Sequence, residues 1–65
     1  MDIVINGQAQ DVAATTVLEL LQAQGLAGRR VAVEVNGEIV PRSQHGECAL
    51  APGDRVEIVH ALGGG

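Results

Sequence analysis

Residues 31–41 read VAVEVNGEIVP and contain the clearest structural signal in the chain. Apolar side chains recur at every second position up to Val35, which is the pattern of a strand with one buried face. Asn36-Gly37 then supplies two residues that tolerate positive φ, as a two-residue hairpin turn requires. Residues 38–40 form the return strand, and Pro41 ends it because proline has no N–H for the ladder. This run predicts a β-hairpin.

The first twelve residues predict another hairpin. Met1, Ile3 and Ile5 alternate with the residues between them, and a second Asn-Gly pair follows at Asn6-Gly7. The return strand, residues 8–12, is weakly apolar and polar at its centre, so we expect it at an exposed edge of the sheet.

A helix is predicted to follow. Thr16 and Glu19 have the spacing of a capping box, in which each side chain bonds the other residue's backbone N–H. Gly25-Leu26 is typical of a left-handed C′ glycine and its hydrophobic contact, so the helix should stop near Gln24. A broad apolar face at helical spacing is formed by Val17, Leu18, Leu20 and Leu21.

The remaining residues lead into a last strand. Residues 42–51 have no clean period, so we expect an irregular segment with a short 3₁₀ turn, before a turn at 52–54. Residues 54–60 alternate again, with Val56 and Ile58 on one face. The element order predicts an α+β domain of two layers, in which one helix covers one face of a mixed sheet of four to five strands.

Size and charge restrict the function. A domain of 65 residues buries only about 60% of the surface of its unfolded chain, which leaves little room for an enclosed active site. The chain has no Phe, Tyr or Trp, and it contains eight acidic residues but only four Arg. This composition argues against binding nucleic acid or anionic membranes and favours basic protein partners.

The compartment is also indicated by composition. The single Cys48 cannot form an internal disulfide, and the chain starts without a secretory signal pattern. No apolar run approaches the roughly 18 residues of a membrane-spanning helix. We therefore expect a soluble, cytoplasmic protein with a domain at 1–62 and a flexible glycine tail at 63–65.

The glycine tail is the candidate site. Glycine has no Cβ, so Gly64-Gly65 can enter a narrow catalytic channel in extended form. A free carboxylate is a poor acyl donor, and adenylation by ATP would give it a leaving group that a sulfur nucleophile can displace. On composition alone, a frayed chain end is the simpler interpretation of such a tail.

Residues 33–43, residues 52–61 and the terminal Gly64-Gly65 together resemble the ThiS family of thiamin-biosynthesis sulfur carriers over essentially the whole chain. The most specific element is the hairpin NGEIVPR combined with a Gly-Asp-x-Val strand that runs straight into Gly-Gly. The resemblance implies a ubiquitin-like β-grasp fold with the first and last strands adjacent and parallel. The chain departs from the family at His45-Gly46, where members often have a bulkier aromatic residue.

The resemblance also implies a chemistry. The Gly65 carboxylate is expected to be adenylated by an E1-like adenylyltransferase that uses ATP, and converted to a thiocarboxylate. Its sulfur would come from cysteine through a cysteine desulfurase and pass to thiazole synthase. The carrier itself would be no enzyme and would hold no permanent cofactor. Gly64 and Gly65 match the family's terminal pair, and Gly63 extends the glycine run by one.

A partner surface is predicted beside the tail. Val59 and Leu62 are apolar where alternation predicts exposure, and with Ala61 they could dock a partner. Arg55 and Glu57 could read the partner's charge, although single surface charges are ordinarily just solvated. Coverage of Val59 by an adjacent loop is an equal alternative.

Simpler interpretations apply to the cysteine and the two histidines. Cys48 could relay a persulfide, but a lone cysteine usually behaves as a small buried hydrophobe. His45 and Cys48 have the spacing of half a metal site, with His60 as a third ligand. Structural zinc takes four paired ligands, so this spacing is better explained as coincidence, and we expect no metal site.

Three rival functions remain. The small subunit of molybdopterin synthase resembles this chain in fold and Gly-Gly end, although the compact VNGEIVPR hairpin argues against it. A non-carrier β-grasp binding module would use its sheet face and not the tail. An independent enzyme would need convergent side chains that the sequence does not offer.

Overall fold

The computed structural model describes residues 1–60 and contains both predicted hairpins, the helix and the last strand. A single 3₁₀ turn, Arg42–Gln44, interrupts the irregular segment as expected. Within residues 1–60, no helix is long and apolar enough to cross a bilayer. The elements are β1 (Asp2–Ile5), β2 (Gln8–Asp11), α1 (Val17–Ala23), β3 (Val31–Val35), β4 (Glu38–Val40) and β5 (Arg55–His60).

The five strands form one mixed sheet in the order β2-β1-β5-β3-β4. Neighbouring strands are antiparallel except β1 and β5, which run parallel with Ile5 opposite Val56. The expected edge position of β2 is confirmed. The parallel pairing of first and last strands, which the family resemblance implied, is confirmed as well.

Both Asn-Gly pairs form tight turns with positive φ at both central residues. The φ angles are 49° and 83° at Asn6-Gly7, and 53° and 86° at Asn36-Gly37. These values suit a type I′ turn, whose twist matches that of the flanking strands. Both predicted hairpins are confirmed, and they form for the predicted reason, which is that Asn-Gly tolerates positive φ.

The core lies between α1 and one face of the sheet. Its most deeply buried members come from β1, α1, β3 and β5, with further packing from the loops. Leu18 was predicted to belong to the apolar face of α1, yet it remains 38% exposed because only three residues of a two-turn helix can face the sheet. The fully buried large side chains are Ile3, Val17, Leu20, Val33 and Val56.

The cap at the start of α1 differs slightly from the predicted capping box. Thr16 Oγ1 accepts from the Glu19 N–H at 3.2 Å, as expected. Glu19 Oε1, however, accepts from both the Thr15 N–H at 2.7 Å and the Thr15 hydroxyl at 2.6 Å. These hydrogen bonds, the Thr15 hydroxyl's first, lower the pKa of the Glu19 carboxyl.

The end of α1 is a Schellman motif. The Gly25 N–H donates to the Gln22 carbonyl, and the Leu26 N–H donates to the Leu21 carbonyl at 2.7 Å. Gly25 adopts the left-handed conformation, with φ of 74°. α1 ends at Ala23 with Gln24 as its C-cap, which confirms the prediction that the helix stops near Gln24.

The irregular segment after β4 closes over the start of α1. The carbonyls of His45 and Cys48 accept from the N–H groups of Leu18 and Val17 at 2.9 and 3.0 Å. The first N–H groups of a helix have no partner within it, so this segment satisfies two of them. A segment without periodicity in sequence is therefore fixed by backbone hydrogen bonds.

Replacing Leu20 with Ala should destabilise the domain by about 2–5 kcal/mol, since its side chain is fully buried and would leave a cavity. A chain of this size has a free energy of unfolding of roughly 3–10 kcal/mol, so the loss is severe. The matched control, Leu18→Ala, removes the same atoms from a 38% exposed side chain and should cost about 1 kcal/mol or less. Urea unfolding followed by circular dichroism measures both. Equal losses would contradict the core described above.

Acid should weaken the cap of α1. The pKa of Glu19 is lowered from 4.5 in the folded state, so its stabilisation is present above the unfolded value and is lost as pH falls through the folded value. Glu19→Gln keeps an oxygen acceptor but cannot titrate. Between pH 7 and pH 3 its urea midpoint should therefore fall less than that of the wild type. Glu47→Gln, which removes an exposed charge outside the helix, should follow the wild type.

Candidate functional site

The central strand of the sheet leads directly to the predicted site. β5 ends at His60, the last described residue, and pairs with β1 on one side and β3 on the other. Of the predicted site residues, Ala61, Leu62 and Gly63 to Gly65 lie outside the described residues. The structure therefore describes the strand that positions this segment and the surface around it.

The two edges of β5 are held by different kinds of hydrogen bond. Along β3, backbone pairing continues to the end, with Val59 opposite Ala32 and His60 opposite Val31. Along β1, the backbone bond from the Asn6 N–H to the Val56 carbonyl is followed by the Asn6 side chain. Its Oδ1 accepts from the Ile58 N–H at 2.8 Å, and its Nδ2 donates to the Ile58 carbonyl at 3.1 Å.

A second asparagine holds the beginning of β5. Asn36 Oδ1 accepts from the Arg55 N–H at 2.9 Å, and Asn36 Nδ2 donates to Asp54 Oδ1 at 3.0 Å. Both turn asparagines thus use their carboxamides on the same strand, at opposite ends. From sequence, only a turn role is predicted for both asparagines, because the partners of Asn6 lie 52 positions away and those of Asn36 lie 18 and 19 positions away.

The sheet surface opposite α1, here called the open face, is not covered by any other described element. The cross-strand register places these residues on it, because directly paired residues point to the same side. Its residues are Asp2, Val4, Ala9, Asp11, Ala32, Glu34, Ile39, Arg55, Glu57 and Val59.

The open face combines apolar and acidic side chains near the end of β5. Val59 is 59% exposed and lies opposite Ala32, so among the described residues no loop covers it. The next row places Glu57 opposite Glu34, which concentrates negative charge. Ile39, opposite Glu34 and 64% exposed, adds an apolar group that was not among the residues predicted for the partner surface. The alternation of β4 was the signal that could have identified it.

The remaining reactive residues lie elsewhere. Cys48 is half-buried in the wall of a groove of about 720 Å³ between β4 and the irregular segment. The buried His45 places Nε2 3.2 Å from the carbonyl oxygen of Val40, at the end of β4. No three His, Cys, Asp or Glu side chains among residues 1–60 come together as metal ligands.

Two hairpins joined through a parallel first and last strand, with one helix across one face, define a β-grasp domain. The open face and the central last strand are the features such a domain can present to a partner. A family model described as the ThiS family matches residues 3–65, and the chain belongs to this family.

The chain is similar to curated proteins of two kinds. A sulfur carrier protein ThiS from Bacillus subtilis is 40% identical over 50 residues, which cover 77% of this chain and 76% of that protein. A thiazole synthase from Paramagnetospirillum magneticum is 44% identical over 66 residues, and one from Magnetococcus marinus is 42% identical. The whole chain is matched in both, but it spans only 20% of their length.

Solved structures agree with the fold. The crystal structure of the thiamine biosynthesis protein ThiS from Geobacter metallireducens has a TM-score of 0.86 and 35% sequence identity, and covers all of both chains. The solution structure of a thiamine biosynthesis protein from the same organism has a TM-score of 0.79 and covers all of this chain and 88% of that one. The β-grasp fold predicted from the resemblance is confirmed.

Proposed function

We propose that this chain carries sulfur for thiamin biosynthesis as a thiocarboxylate on Gly65. The observation that carries the proposal is the family match, which extends through the glycine run to residue 65. The likeness to the sulfur carrier protein of Bacillus subtilis supports the same role. The chain is a protein substrate of other enzymes under this proposal, and supplies no catalytic group itself.

The proposed reaction has three steps and begins on a partner enzyme of the E1-like adenylyltransferase class. A Gly65 carboxylate oxygen attacks the α-phosphorus of ATP, pyrophosphate leaves, and an acyl-adenylate forms. The outer sulfur of the persulfide that a desulfurase forms from cysteine then attacks the acyl carbon and displaces AMP, which leaves an acyl disulfide. A thiol reductant attacks the inner sulfur of this disulfide, so that the S–S bond breaks, the Gly65 thiocarboxylate leaves and a new disulfide forms. Glycine suits this chemistry because no Cβ shields the acyl carbon from the persulfide's attack.

Thiazole synthase is the proposed acceptor of the sulfur. Two proteins of that name contain a segment similar to the whole of this chain in about one fifth of their length. Domains that occur within one polypeptide in some proteins commonly act together, so this similarity favours thiazole synthase over a molybdopterin-synthase partner. The molybdopterin-type carrier and the non-carrier binding module become outcomes of the tests below.

The open face is the proposed docking surface for the adenylyltransferase. Val59 and Ile39 are large apolar groups left in solvent, and they flank the acidic pair Glu34 and Glu57. A net charge of −4 reinforces the negative potential. The matching partner surface has basic side chains at its centre and apolar side chains on either side of them. Binding there places the end of β5 beside the partner.

The carrier role can be tested by mass. The native protein, with its C-terminus first verified, is incubated with the adenylyltransferase, ATP, cysteine, a desulfurase and a thiol reductant. Intact mass should rise by the difference between one sulfur and one oxygen, and the change should require ATP. A variant truncated after Gly63 should show no such rise and should not support thiazole formation in a growth assay. Thiazole formation by that truncated variant, or rescue of molybdopterin synthesis alone, would refute the proposal.

The docking role can be tested by replacing Val59 with Ser. Loss of one exposed apolar anchor should raise the KM for the carrier in the adenylation reaction about tenfold, which corresponds to about 1.4 kcal/mol, and leave kcat unchanged. The control is Ala23→Ser at the exposed C-terminal end of α1, and its KM should remain that of the wild type. Unaltered kinetics of both variants would show that the partner binds elsewhere.

A further inference from the structure

We propose that Asn6 is a positioning residue for the C-terminal segment, because its carboxamide completes the β1 edge of β5 just before that strand ends. The proposal rests on the proposed function, in which Gly65 must reach a partner's active site. It adds a residue 59 positions before Gly65 in sequence to the machinery that presents this carboxylate.

The backbone alone cannot hold this edge of β5. β1 ends at Ile5, and the chain then turns away into β2 through Asn6-Gly7. The Val4 and Asn6 N–H groups donate to the carbonyls of Asp54 and Val56. The next position of the ladder, at Ile58, faces a turn in place of a strand.

The Asn6 carboxamide takes that next position. A carboxamide has the same donor and acceptor as a peptide group, and here it bonds both the N–H and the carbonyl of Ile58, at 2.8 and 3.1 Å. Ile58 is two residues before the end of β5, and its side chain is buried in the core. Asn6 therefore extends the sheet on this side by one residue pair beyond the reach of β1.

This position is suited to control the direction in which the chain leaves the sheet. Backbone pairing to β3 fixes only one edge at Val59 and His60. With Asn6 in place, β5 is held from both edges at Ile58, so that Val59 and His60 are already ordered before a partner binds. Without the Asn6 side chain, only the hydrogen bonds to β3 hold the final residues of β5, and these residues can change their orientation.

The molecule supplies its own matched control in Asn36. Asn36 also lies in an Asn-Gly turn with positive φ, and its side chain also makes two hydrogen bonds, but to Asp54 and Arg55 at the start of β5. Asn6→Gly and Asn36→Gly each remove these bonds, and glycine accepts the positive φ without strain. Both variants should therefore fold, with midpoints of thermal unfolding lowered by several degrees.

The structural test is the backbone order of Val59 and His60, measured by ¹⁵N relaxation on the full chain. In Asn6→Gly, the order parameters there should fall from about 0.85 toward about 0.6. In Asn36→Gly, they should remain at the wild-type level. Asn6→Asp serves as a second variant, because it keeps an acceptor for the Ile58 N–H but loses the donor to the Ile58 carbonyl; it should also lower the order. Equal losses in Asn6→Gly and Asn36→Gly, or none in the Asn6 variants, would overturn the proposal.

The functional test is the adenylation reaction of the same variants. If the partner must order one more backbone residue of the carrier, its affinity for the carrier falls by a factor of roughly 5–30. Asn6→Gly should therefore raise KM by that factor and leave kcat unchanged. Asn36→Gly should keep the wild-type KM. Similar KM values for the two variants would refute positioning. Failure of the wild type to be adenylated would instead refute the proposed function, while the relaxation data would still decide whether Asn6 orders the strand end.

Discussion

The structure depends on the insertion of β5 between two hairpins. β1 with β2, and β3 with β4, are each closed locally by an Asn-Gly turn, but neither hairpin pairs directly with the other. β5 hydrogen-bonds to both and places Val56 and Ile58 beneath α1. Because a two-stranded hairpin is marginal in water, the cooperative unit requires this central strand. The hydrophobic layer and the sheet are therefore completed by the same element.

This arrangement divides the two faces of β5 between stability and recognition. Val56 and Ile58 face α1 and contribute to the core, whereas Glu57 and Val59 alternate with them onto the open face. A substitution on the open face can alter binding with little effect on folding, since those side chains have few neighbours to lose. Because side chains alternate between the two faces of a strand, successive residues of β5 contribute in turn to folding stability and to partner recognition.

The local elements could be predicted from sequence because their causes are local. Alternation and Asn-Gly pairs identified both hairpins, and Thr16 and Gly25 marked the ends of α1. The closing of residues 42–51 over the helix start could not be predicted, because backbone carbonyls such as that of Cys48 carry no sequence signal. The edge position of β2 followed from its polar sequence, whereas the parallel pairing of the first and last strands came from family resemblance alone. In the candidate site, alternation placed Val59 on an exposed face, but nothing near Asn6 indicated a bond to a strand 52 positions away.

The position of β5 also has a consequence for how the protein is made. A ribosome produces both hairpins and α1 before β5, so the inner edges of β1 and β3 emerge with unsatisfied backbone groups and with Ile3 and Val33 exposed. Open strand edges of this kind are templates for pairing with other nascent chains. Until β5 inserts between the two hairpins, these edges stay open to such pairing.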